Sequence, residues 1–120
     1  GKKWWYNGER TVITDKEVAF GSGTFYKQDQ DLVDDQVEVA FGDAKIYYDN
    51  AEMLGDFATL NIEVAFGNAT VYVPQHWRVD LKVETSFGAA KADAPVAPTS
   101  KTLIIRGEVA FGKLGVVYVK

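Results

Sequence analysis

Glu63-Val64-Ala65-Phe66-Gly67 decides the fold of this chain, because the phrase returns four more times. The other copies are Glu17-Val18-Ala19-Phe20-Gly21, Glu38-Val39-Ala40-Phe41-Gly42, Glu84-Thr85-Ser86-Phe87-Gly88 and Glu108-Val109-Ala110-Phe111-Gly112. Their phenylalanines stand 21, 25, 21 and 24 residues apart. Self-similarity at a short, nearly fixed period marks stacked-repeat architectures, in which each unit buries its apolar face only against its neighbours. A period in the low twenties suits one turn of a β-solenoid.

Ahead of each Phe-Gly the residues alternate apolar and polar, as in Val79-Asp80-Leu81-Lys82-Val83-Glu84 and Leu103-Ile104-Ile105-Arg106. Period two means strand. It places valine and phenylalanine together on the buried face, with the Glu and the Ala or Ser before Phe on the other. After the glycine the apolar parity slips by one residue: Ala44, Ile46 and Tyr48 follow Phe41, and Ala69, Val71 and Val73 follow Phe66. A corner or bulge produces such a slip, and glycine tolerates it. The expected fold is all-β, a single domain over residues 1–120. It is a β-solenoid or β-roll of about five stacked coils of 21–25 residues, with corners at Phe20-Gly21, Phe41-Gly42, Phe66-Gly67, Phe87-Gly88 and Phe111-Gly112. Residues 1–16 break the pattern, and Lys16 and Lys27 fall where later repeats put apolar residues, so the start reads as an N-terminal cap ahead of repeats over 17–120.

Between repeats lie stretches with turn chemistry. Lys27 to Asp31 is polar, Asp49 to Asp56 is expected to form a helical turn, Pro74-Gln75-His76-Trp77 is tight, and Ala94 to Ser100 is stiffened by two prolines. The chain ends in Val116-Val117-Tyr118-Val119-Lys120, read as a bare final strand. An open edge invites pairing with another chain, so a homo-oligomer through that edge is expected.

Composition narrows the function. A net charge of −4 on 120 residues, with no Lys/Arg cluster interleaved with aromatics, offers nothing to nucleic acid. The absence of cysteine excludes disulfides and thiolate metal sites. No apolar run approaches the roughly 20 residues that span a bilayer, and Gly1-Lys2-Lys3 carries no signal-peptide core; the expectation is a piece of a longer protein. His76 is the only histidine, so no catalytic triad or multi-histidine metal site can be assembled. Asp29 to Asp35 lacks the glycine and closing glutamate of a calcium loop, and Asn68-Ala69-Thr70 matches a glycosylation acceptor only at the repeat's own corner. No enzyme, cofactor or metal site is expected.

Stacking turns each repeated position into a column. The glutamates would repel one another by about 0.9 kcal/mol per neighbouring pair in water; they read as a solvated face with Lys45 and Lys91 nearby, the alternative being a cation or basic-partner site. Ala19, Ala40, Ala65, Ser86 and Ala110 form a small-residue column against which something packs closely. Tyr26, Tyr47 and Tyr72 form an aromatic strip, which with Trp77 supplies the candidate protein contacts. Trp4, Trp5 and Tyr6 either meet a membrane interface or cover the first repeat's core.

The stretch Val64-Ala65-Phe66-Gly67-Asn68-Ala69-Thr70-Val71-Tyr72-Val73-Pro74-Gln75-His76-Trp77-Arg78-Val79, followed by Val83-Glu84-Thr85-Ser86-Phe87-Gly88, resembles the C-terminal domain of the LiaF-like proteins. These form the cell-wall-active antibiotics response family of Gram-positive bacteria. The likeness runs over residues 17–120; the Ala94 to Ser100 loop departs from it in length and proline content. The resemblance implies a β-solenoid behind N-terminal transmembrane helices that restrains an envelope-stress, two-component histidine kinase until wall damage relieves the restraint. The functional expectation is a membrane-associated regulatory or sensory module acting by protein contact. The alternative, since adhesin-family β-repeats share the Phe-Gly habit, is a structural or adhesive solenoid that self-assembles at the cell surface.

Overall fold

Strands form where the sequence alternates. The computed structural model describes residues 5–6, 12–14, 17–27, 31–95 and 98–119. Among these residues there are ten strands in one sheet, and no helix is long and apolar enough to cross a membrane. The strands are β1 (Trp5–Tyr6), β2 (Val12–Thr14), β3 (Glu17–Tyr26), β4 (Asp34–Tyr47), β5 (Phe57–Ala65), β6 (Asn68–Val73), β7 (Trp77–Ser86), β8 (Ala89–Ala92), β9 (Lys101–Ala110) and β10 (Lys113–Tyr118). β3 and β4 run through their Phe-Gly corners; in the other repeats the corner divides a long strand from a short one.

Equivalent positions of neighbouring repeats pair side by side, parallel and in register. Glu38 lies between Glu17 and Glu63, Ala40 beside Ala65, and Asp43 beside Asn68. Because β4 pairs with β5 before the corner and with β6 after it, the sheet folds over and closes nearly into a roll around one core. The long strands contribute Val37, Val39, Leu60, Ile62, Val64, Leu103, Ile105 and Val109 to that core, and the short ones Ala44, Ile46, Ala69, Val71, Val73, Leu114 and Val116. β1 and β2 pair antiparallel with β3 on the side away from β4.

The repeats do not stack in chain order. β9 lies between β5 and β7, and β10 between β6 and β8, so the spatial order is first, second, third, fifth, fourth. The C-terminal strand is therefore no bare edge: Val116 sits between Val71 and Ala92. Among the described residues the long open edge at this end belongs to β7 and β8 of the fourth repeat. The cause lies in the side chains. The fifth repeat offers Leu103, Ile105, Val109, Leu114 and Val116, all buried, whereas the fourth offers Val79, Leu81, Val83, Ala90 and Ala92, which are only half-buried at the margin. Placing the more apolar repeat in the interior removes more hydrocarbon from water.

Pro74-Gln75-His76-Trp77 makes this possible. Trp77 donates its N–H to the Pro74 carbonyl at 3.2 Å, closing a turn that carries the chain past the position β9 later fills, and the Ser100 N–H returns to the His76 carbonyl at 2.8 Å. The expected helical turn over Asp49 to Asp56 is absent. A single tight turn at Asp49-Asn50, closed by Ala51 N–H to the Tyr48 carbonyl at 3.0 Å, drops Ala51 and Met53 into the core instead.

Gly107 is the one residue of β9 that only glycine can supply. Its φ is 135°, and a Cβ there would lie 1.8 Å from the Ile62 carbonyl oxygen. It stands in an inward column between Ile62 and Val83, where the backbones approach too closely for any side chain.

Candidate functional site

Four of the corner phenylalanines are on the surface, and the side chain of Phe20 lies outside the described residues. Alternation places Phe66 on the same side as Val64, but Phe41, Phe66, Phe87 and Phe111 all adopt the left-handed region, with φ of 55°, 56°, 54° and 55°. That turn of the backbone swings the ring out of the core: the four are 53%, 51%, 85% and 50% exposed. The expectation that phenylalanine shares the buried face with valine is thus overturned. The same rotation explains the slip in parity, since the chain re-enters the core one residue late, at Ala44, Ala69 and Leu114.

Glycine's role at the corner also differs from the expected one. A Cβ on Gly67 would meet the Gly42 carbonyl oxygen at 2.1 Å, on Gly112 that of Gly67 at 2.0 Å, and on Gly88 that of Gly112 at 2.5 Å. These glycines supply closeness between successive backbones, and the phenylalanines supply the unusual φ. A left-handed non-glycine residue costs about 1–2 kcal/mol. Stacking offsets part of this: ring centroids are 5.0 Å apart for Phe41–Phe66, 4.9 Å for Phe66–Phe111 and 5.2 Å for Phe87–Phe111, with planes within 10° of parallel. Each such pair contributes about 0.5–1.5 kcal/mol beyond its area. At the Phe87 end the column opens into a shallow cleft of about 420 Å³ bordered by Phe66, Phe87, Phe111, Asn68 and Lys113.

Six residues beyond the corner phenylalanines of the first, second and third repeats lies the other aromatic column. Tyr26 and Tyr47 stack at 5.0 Å and 13°, Tyr47 and Tyr72 at 4.3 Å and 4°, and the row continues into Val117. Tyr26 is exposed and Tyr47 and Tyr72 half-buried. Burial first, then the neighbouring Tyr72, pushes the Tyr47 phenol above its ordinary value. Between the two columns the outward positions are polar or small, with Asp43, Asn68 and Lys113 in one row and Lys45, Thr70 and Lys91 in the next. The surface is a polar band framed by two rigid aromatic stripes.

Trp77, grouped with the tyrosines as a contact residue, is fully buried and offers no surface. Its ring tilts against Tyr48 at 5.9 Å, and its carbonyl accepts a hydrogen bond from the Tyr118 hydroxyl at 2.7 Å. Tyr118 is itself held above the ordinary phenol value by burial. The glutamates form the in-register column expected of them, and among the described residues Glu38, Glu63, Glu84 and Glu108 make no ion pair. Lys45 and Lys91 are no counter-charges to them, for both lie on the short-strand side of the corner. Ala40, Ala65 and Ala110 are half-buried beside them. Asn68 donates its side-chain amide to Asp43 at 2.8 Å. Among the described residues no cluster suits a metal ion. Trp5 and Tyr6 pair with Thr24 and Gly23 along β3, while Trp4 and Lys16 lie outside the described residues.

A buried charge network went unread in the sequence. Lys27 and Asp35 are each 3% exposed, with Lys27 Nζ 3.2 Å from Asp35 Oδ2, and the same oxygen accepts the Tyr48 hydroxyl at 3.0 Å. The signal was present: Lys27 breaks one apolar column, and Asp35 breaks the column that continues through Leu60 and Ile105. Two opposite charges at two apolar positions of adjoining strands imply each other.

No protein-family model, curated protein sequence or solved structure matches the chain.

Proposed function

We propose that this chain is the contact domain of a membrane-tethered regulatory or sensory module in the bacterial cell-envelope stress response, acting on a two-component histidine kinase. In this reading the domain is a β-solenoid of five coils, and its aromatic-framed face is what the partner meets. One observation carries the reading: four successive phenylalanines occupy a strained backbone region and hold their rings half or more in water. A chain selected only for stability has a less costly corner in glycine or asparagine. Strain kept at equivalent surface positions points to use of the rings, and stacked aromatics presented on rigid strands suit a protein interface. The likeness of the Phe-Gly and Pro-x-x-Trp phrases to LiaF-like domains supplies the kinase as partner and the tether as context; both rest on that resemblance alone.

The test is capture of the kinase from a bacterial membrane fraction by the wild-type chain and by Tyr47→Ala/Tyr72→Ala and Phe66→Ser/Phe111→Ser variants. Loss of capture by either variant, with folding intact, supports the reading. Undiminished capture by both removes the aromatic face from it, and no capture by the wild type removes the kinase. The unpaired fourth-repeat edge favours a second reading, a structural or adhesive solenoid that self-assembles at the cell surface. The full-length reading frame separates the two: upstream membrane spans beside a two-component system for the first, a secretion signal with further repeats for the second.

A further inference from the structure

We propose that β7 pairs antiparallel with β7 of a second copy of this chain, on a two-fold axis through Leu81, to form a closed dimer. The inference is independent of the kinase-contact reading. Among the described residues no strand pairs with the outer side of β7 or β8, so a row of backbone donors and acceptors faces outward there. Val79, Leu81 and Val83, the inward residues of β7 beyond the buried Trp77, are half-buried, whereas their neighbours one strand in, Leu103 and Ile105, are fully buried. The core is left unfinished at this end.

The charges on β7 name the occupant. Its outward residues are Arg78, Asp80, Lys82 and Glu84, alternating in sign, and the internal neighbour does not satisfy them: Lys82 lies beside Arg106 and Glu84 beside Glu108. The ion pair Lys82 makes is with Asp80 of its own strand, at 3.7 Å and largely in water. Set antiparallel about Leu81, the strand complements itself. Arg78 faces Glu84 of the second copy, Asp80 faces Lys82, Val79 faces Val83, and Leu81 faces Leu81 across the axis. Moving the axis one residue either way sets like charges opposite each other, Asp80 against Asp80 with Arg78 against Lys82, or Lys82 against Lys82 with Asp80 against Glu84. Directly opposed charges favour or oppose pairing according to sign, so this pattern selects one register. An edge guarded only for solubility has no need of a self-complementary order. The interface is isologous and closes at two copies.

The test uses the chain itself in sedimentation equilibrium. Wild type is expected to reach dimer mass at high micromolar concentration. An acidic variant, Arg78→Glu/Lys82→Glu, and a basic one, Asp80→Lys/Glu84→Lys, are each expected to weaken self-association by about tenfold or more, and their equimolar mixture to restore the dimer. A separate Leu81→Cys chain, which then holds one cysteine, is expected to oxidise to a covalent dimer, while Val83→Cys alone is not. Wild type that stays monomeric at high micromolar concentration overturns the proposal, as do charge variants that dimerise like wild type, or equal cross-linking of both cysteine chains.

Discussion

Phe66 holds its ring in water from a left-handed backbone, and two substitutions separate the cost of the backbone from the contribution of the ring. Phe66→Ala keeps the unfavourable φ and loses the stacking; Phe66→Gly loses the stacking but sheds the strain. Glycine is therefore expected to be the more stable variant by about 1 kcal/mol, read from urea midpoints, and an alanine variant as stable as glycine contradicts a left-handed Phe66. Gly107→Ala places a methyl against the Ile62 carbonyl at a φ of 135° and is expected to cost about 3 kcal/mol or more. At this scale the sequence revealed that a corner occurs, through the slip from Val64 to Ala69, but not which residue turns it. Alternation records which face a residue occupies; the sign of φ leaves no trace in it, and phenylalanine is an unusual choice for the positive region.

Among elements, the Lys27–Asp35–Tyr48 contact ties the end of β3 to the start and end of β4. Asp35→Ala takes the carboxylate from a buried ammonium and is expected to cost about 3–5 kcal/mol, while Lys27→Met/Asp35→Leu, which removes both charges, is expected to be close to neutral; equal losses for both variants contradict an ion-paired core. Tyr118 links β10 to the start of β7 by its bond to the Trp77 carbonyl. Its raised phenol pKa means the native state keeps a proton that the unfolded chain loses above about pH 10. Stability from this source is complete below that pH and declines as pH rises through the higher folded value. Tyr118→Phe is expected to flatten the alkaline decline, and a decline of unchanged steepness contradicts the assignment. Lys27 was legible as an exception to its column. Its partner was not, because Asp35 sits in an acidic run that reads as solvated loop until strand pairing places it opposite the core.

For the whole molecule, the repeated phrase carried the all-β architecture, the in-register glutamate column and the tyrosine strip. It could not carry the order of stacking. Each repeat presents the same face to either neighbour, so phrase and period are blind to whether the fifth follows or precedes the fourth; the balance of apolar residues, Leu103 and Ile105 against Val79 and Leu81, decides it. That order moves the open edge from the C-terminal strand to β7, and with it the surface available to a second copy.

Methyl–methyl nuclear Overhauser contacts across the inward column of Leu60, Ile105 and Leu81 test this arrangement most directly. The parallel stack with its fifth repeat inside predicts strong contacts for Leu60 with Ile105 and for Ile105 with Leu81, and none for Leu60 with Leu81, which stand two strand spacings or about 9.6 Å apart. A direct Leu60–Leu81 contact, with Ile105 touching Leu81 alone, would mean that the repeats stack in chain order, and the edge, the dimer register and the order of the phenylalanine column would all fall together.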